Sequence, residues 1–220
     1  MHVVQIAEKS DMSVLNKIAF YQNRRDEVPN QQLAKELAQT KNHVAIKEIA
    51  ANLTNKNQNV QSDCLKVLYE IGYLKPELIA PYVDNFLSLL QSKNNRMVWG
   101  ATIALATIAD LKPQQIHKQL KTVTDAVDHG TLITVVWGVK ALGKLAAADP
   151  TYKLEIMPFL TAQLKKCIPR DVPMHAESIL PAIDAQNKQQ ILAVLETRKT
   201  EMTNSQLTRL KKVVKQIQAT

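Results

Sequence analysis

Val67-Leu68-Tyr69-Glu70-Ile71-Gly72-Tyr73-Leu74-Lys75-Pro76, Ala104-Leu105-Ala106-Thr107-Ile108-Ala109-Asp110-Leu111-Lys112-Pro113 and Ala141-Leu142-Gly143-Lys144-Leu145-Ala146-Ala147-Ala148-Asp149-Pro150 are three versions of one stretch. Each ends in proline, and the prolines recur every 37 residues. A fixed period of this size marks stacked copies of one supersecondary unit: a lone helical pair leaves an apolar face bare, whereas a row of pairs buries it between neighbours. Pro76, Pro113 and Pro150 sit where a new helix opens, a position at which a missing backbone N–H costs nothing.

The rest of the chain fits an all-α array. Of its 220 residues 45% are hydrophobic and 5% aromatic, and only five are glycine, too few for the tight turns of a β-rich fold. Punctuation and the 3.6-residue period give about six antiparallel pairs, twelve helices in all. Ser10 or Asp11 caps the first, to about Arg25; Pro29 opens the second, to about residue 41; Asn42 caps the third, to about residue 55. The others fall at about 59–73, 76–92, 95–111, 113–128, 131–148, 151–168, 171–185, 187–201 and 203–218. An array grows by addition, so residues 1–220 are expected to form one domain, with repeats at about 11–41, 42–75, 76–112, 113–149, 150–185 and 186–220.

The second helix of each pair carries a resemblance. Met97 to Ala109, Thr134 to Ala146 and, more loosely, Val60 to Gly72 resemble the HEAT pattern V-R-x-x-A-A-x-A-L-G-x-I-G, and Val172 to Asp184 is a degenerate copy broken by Pro181. The resemblance covers residues 43–185 and implies a right-handed α-α superhelix, with outer helices convex and inner helices lining a concave groove. Gln61, Val98, Val135 and Pro173 stand at the family's arginine position, so its usual ladder of ion pairs between repeats is not expected.

In that register Ala101, Leu105 and Ile108, with Gly138, Leu142 and Leu145, point to the core. The stripe left for the groove holds Ser62, Asp63, Lys66 and Glu70, then Trp99, Gly100, Ile103 and Thr107, then Val136, Trp137, Lys140 and Lys144, then Met174, His175, Ser178 and Ala182. Both tryptophans of the chain lie on it. Two indoles on adjacent repeats, beside Ile103, Val136, Met174 and His175, make an aromatic patch of the kind that marks a binding surface, although an indole can also lie across its neighbour as packing.

The expected function is a non-catalytic scaffold holding a protein or peptide along the groove, with Lys140 and Lys144 selecting an acidic partner. Nucleic-acid binding is the alternative, since the net charge is +8 and Arg209, Lys211, Lys212 and Lys215 form a basic surface on the last helix, which capping of a terminal repeat also explains. Self-association through the patch is a third reading. Bacterial DNA alkylation repair glycosylases are similar in architecture, with groove tryptophans and an aspartate. Here Ile103 follows Trp99 by one turn and Ala141 follows Trp137, so the carboxylate that mechanism needs is missing.

No cofactor or metal is expected: the five histidines show no i, i+4 pairing, and no glycine-rich phosphate loop or Cys-x-x-Cys is present. Asp63 and Glu70 stand nearly two turns apart without a partner to tune either as an acid or base. Cys64 falls in the small-residue slot of Ala101 and Gly138, far from Cys167, so free structural thiols and a reducing cytoplasm are expected. No apolar run approaches the roughly 20 residues of a bilayer span, and the opening residues lack the pattern of a secretion signal.

Overall fold

The structure, a computed structural model, describes residues 13–220. Among them the regular elements are all helical. They are α1 (Val28–Thr40), α2 (His43–Ala51), α3 (Gln58–Leu74), α4 (Val83–Leu89), α5 (Asn95–Ile108), α6 (Pro113–Lys118), α7 (Leu120–His129), α8 (Leu132–Ala148), α9 (Pro150–Lys166), α10 (Val172–Ile179), α11 (Lys188–Arg198) and α12 (Asn204–Ala219), joined in places by single 3-10 turns. Side chains open several of them. Asn42, Asn57, Asn94 and Asp149 each accept a first-turn N–H, and Thr203 with Gln206 forms a reciprocal capping box at α12.

Helices α1, α3, α5, α8, α10 and α12 pack side by side in one row. Behind it stand α2, α4, the α6–α7 pair, α9 and α11, each against a helix of the first row. Between the rows lies a continuous core of Leu, Ile, Val and Ala, in which Cys64, Ala101 and Gly138 occupy equivalent buried places. The first row is drawn close at its glycines. A Cβ on Gly100 would stand 2.6 Å from the end of the Leu65 side chain, and one on Gly143 would strike the Ser178 carbonyl oxygen of α10. Gly143 therefore sets how near α8 and α10 approach. Among the described residues no helix is long and apolar enough to cross a membrane.

Four expected helices differ in the structure. Ser10 and Asp11 lie outside the described residues, and the part of the first helix that is described is two 3-10 turns, Val14–Lys17 and Phe20–Gln22, separated by extended Ile18. The cause is tertiary: the Ala19 amide donates to Asn30 Oδ1 at 2.9 Å and the Phe20 amide to Asp63 Oδ2 at 2.7 Å, so these donors leave the helical ladder. Pro81 breaks the span 76–92 into turns at Pro76–Leu78 and Ala80–Tyr82 followed by α4. Pro181 likewise ends α10 at Ile179, leaving a 3-10 turn over Leu180–Ala182. The span 113–128 is interrupted at Gln119, where neither proline nor glycine is present.

Candidate protein-binding groove

On the exposed side of the first row, four aromatic rings form a chain across three helices. Trp99 of α5 lies 6.1 Å from Tyr69 of α3, Tyr69 lies 6.0 Å from Tyr73 one turn on, and Tyr73 lies 5.5 Å from Trp137 of α8. Tyr73 and Trp137 belong to helices separated by α5, and their rings meet only because the row curves toward this side. This is the concave face. Tilted and edge-on rings at such distances attract beyond the area they bury.

Exposure is graded along the chain of rings. Tyr69 is buried, both tryptophans are half-buried, and Tyr73 remains 45% exposed. Burial raises the phenol pKa of both tyrosines, so they stay neutral hydrogen-bonding groups. Cations sit over two of the four rings. Lys66 Nζ lies 4.8 Å from the Tyr69 ring centre and Lys140 Nζ 4.7 Å from that of Trp137. The two cations are unlike in charge balance. Lys66 is held by Glu27 and Glu70, each at 2.7 Å; burial pulls its ammonium pKa down, but these carboxylates outweigh burial and hold it above the ordinary lysine value. Lys140 is exposed and has no carboxylate partner among the described residues.

The other residues expected on the groove scatter. Val136 and Met174 are half-buried, and Lys144 pairs with Asp110 at 3.1 Å. Ile103 is only 5% exposed and packs beneath the rings as core, together with Gly100. His175 is a clear correction: it is 1% exposed, because α10 is closed over by α8, α9 and α12, and neither ring nitrogen finds a hydrogen-bond partner. Burial holds its pKa below the ordinary histidine value, with Asp171 opposing.

At the terminal surface Lys211, Lys212 and Lys215 are exposed, whereas Arg209 makes a two-pronged pair with Glu177. Arg198 of α11, unlike these lysines, is buried. Its guanidinium donates to the carbonyls of Leu164, Lys165 and Cys167 at 2.7 Å each and to Glu201. It closes the end of α9, where carbonyls have no helical donor.

Tyr69 and Tyr73 are the site residues that sequence reasoning missed. The signal was available in the period: 37 residues on stand Ala106 and Asp110, and a further 37 on Gly143 and Ala147. Large rings in one copy where its successors carry small or polar groups are surplus to packing. Below Trp99 the groove opens into a cavity of about 510 Å3, between the turn preceding α1 and helices α3 and α5.

The sequence matches no protein-family model and no curated protein. Solved structures do match in shape. A designed armadillo repeat protein in complex with the peptide (KR)4 is 15% identical with a TM-score of 0.65, over 92% of this chain and 99% of that one. An engineered protein is 17% identical with a TM-score of 0.63, over 94% of this chain and 98% of that one. Kap121p is 14% identical with a TM-score of 0.65; 93% of this chain matches 23% of that much longer one. With the two rows of helices and the 37-residue beat, these likenesses fix the architecture: the chain is an all-α repeat superhelix of the armadillo/HEAT-like kind.

Proposed function

We propose that the chain is a non-catalytic scaffold that holds an extended segment of another protein along its concave row, and that the segment is acidic. One observation carries the reading. Four rings from three inner helices form a continuous aromatic strip, and its far end carries Lys140, a cation with no carboxylate partner among the described residues. Repeat superhelices present concave surfaces of this form to their ligands. The designed armadillo repeat protein of the same shape was solved with a basic peptide. Here Lys140, which has no carboxylate partner among the described residues, carries a positive charge like that of the basic peptide itself, so an acidic segment is the complement. Cys64 and Cys167 are both unpaired thiols, which suits a reducing compartment.

The test is a fluorescence-anisotropy titration with two labelled octapeptides, one alternating Glu and Leu and the other (KR)4. Trp99→Ala with Trp137→Ala should weaken binding of the acidic peptide at least about tenfold while far-UV circular dichroism stays unchanged. Equal binding of both peptides, or full affinity in the double variant, sinks the reading. Tighter binding of duplex DNA than of the acidic peptide, falling steeply with salt, would move the function to nucleic acid.

A further inference from the structure

The cavity below Trp99 has a charge pattern of its own. Its carboxylates are all engaged within the protein. Asp63 accepts the Phe20 amide at 2.7 Å and the Asn30 side-chain amide at 2.8 Å. Asp26 takes Nε and Nη2 of Arg24 at 2.8 and 2.9 Å and the Val28 amide at 3.0 Å, and this Arg24 contact draws its carboxyl below the usual range. Glu27 holds Lys66. Arg25 and Arg96 line the same cavity from different elements, both exposed, and neither has a carboxylate partner among the described residues.

We propose that this cavity binds a phosphate monoester dianion, carried as a phosphorylated side chain of the segment in the groove. The chemistry follows from the count of donors. One carboxylate satisfies one guanidinium fork, whereas the three terminal oxygens of a phosphate can receive two forks at once. The space admits a phosphorylated side chain, and Tyr69 and Trp99 supply an apolar wall for the carbon part. Trp99 is also the first ring of the aromatic strip, so a residue anchored here directs the following residues along it. The peptide's course rests on the groove reading; the phosphate site does not.

The chain has two tryptophans, one in the cavity wall and one at the far end of the strip, which gives two indole N–H signals in a nitrogen-15 spectrum of the full chain. Phenyl phosphate at pH 7.5 should shift the Trp99 signal saturably and leave that of Trp137 in place. Arg25→Gln with Arg96→Gln, both surface changes, should weaken this at least about tenfold. Lowering the pH to 5.5, through the second phosphate pKa near 6, should weaken it as well. An acidic octapeptide carrying phosphoserine should move both signals and bind about tenfold tighter than its serine twin. A Trp99 signal that phenyl phosphate does not move, or unchanged affinity in the double glutamine variant, overturns the phosphate site. If phenyl phosphate binds but the phosphopeptide moves Trp99 alone, the peptide course and the groove reading fail while the phosphate site stands. A 5′-phosphorylated oligonucleotide that outbinds the phosphopeptide overturns the peptide as carrier.

Discussion

The face made by α3, α5 and α8 and the end made by α10 and α12 share one register but hold their arginines in opposite ways. On the first, Lys140 lies over an indole without a counter-charge among the described residues, and Arg25 and Arg96 border an open cavity. At the second, Arg209 is locked to Glu177, Arg198 is sunk into the carbonyls that end α9, and His175 is sealed. Pairing an exposed cation adds at most about 1 kcal/mol, so leaving Lys140 unpaired costs the fold little and keeps its charge open to a ligand.

The contrast breaks first at Arg198. Arg198→Met keeps much of the volume but removes the guanidinium from the carbonyls of Leu164, Lys165 and Cys167 and from Glu201, and urea unfolding should show a loss of about 3 kcal/mol. A loss below about 1 kcal/mol would mean that the terminal end is not sealed as described. Next in size, Gly143→Ala drives a methyl into the Ser178 carbonyl, a backbone atom that cannot turn aside, and should cost about 2 kcal/mol despite alanine's better helix propensity. Gly100→Ala meets only the flexible end of Leu65 and should change stability by less than about 1 kcal/mol. Similar losses at the two glycines would erase the difference between the rigid and the adaptable contact.

His175 sharpens the comparison through pH. Its folded pKa lies below the unfolded value of 6.5, so below that pH the unfolded chain binds a proton that the folded chain refuses. The contribution is fully present above pH 6.5 and is lost as the pH falls toward the folded pKa, with a slope of at most about 1.4 kcal/mol per pH unit. His175→Leu should flatten the fall in urea midpoint between pH 7.5 and 5.5. The smallest effect belongs to the groove. Lys140→Gln should leave stability within about 0.5 kcal/mol and weaken only the acidic peptide, measured by anisotropy; a destabilised variant would show that Lys140 serves the fold.

Much of the architecture was legible because period and proline beat are local and repeated, and repetition averages out the ambiguity of any one helix. The first helix was not, because the amides of Ala19 and Phe20 go to Asn30 and Asp63, partners 11 and 43 residues away that no periodicity reveals. Pro81 and Pro181 were in plain view, and each shortens the helix that the apolar pattern alone would carry through it. In the groove the register put Trp99 and Trp137 on the correct stripe but said nothing of depth. Ile103 and His175 share that stripe and are buried, since burial depends on what the next helix covers. Tyr69 within its own helix is indistinguishable from a core residue; only its small counterparts, Ala106 and Gly143, mark it out.

The contact between Tyr73 and Trp137 has a mechanical consequence. It joins two helices across a third, so it works as a clasp on the inside of an arc: straightening the rod must part these rings, while tightening it must compress them. Elsewhere in the row the contacts run chiefly between adjacent helices, which can shear a little at each joint. The middle of the spring therefore has a clasp that sets its bend, and fluorescence of Trp137 in a Trp99→Phe variant would report that bend.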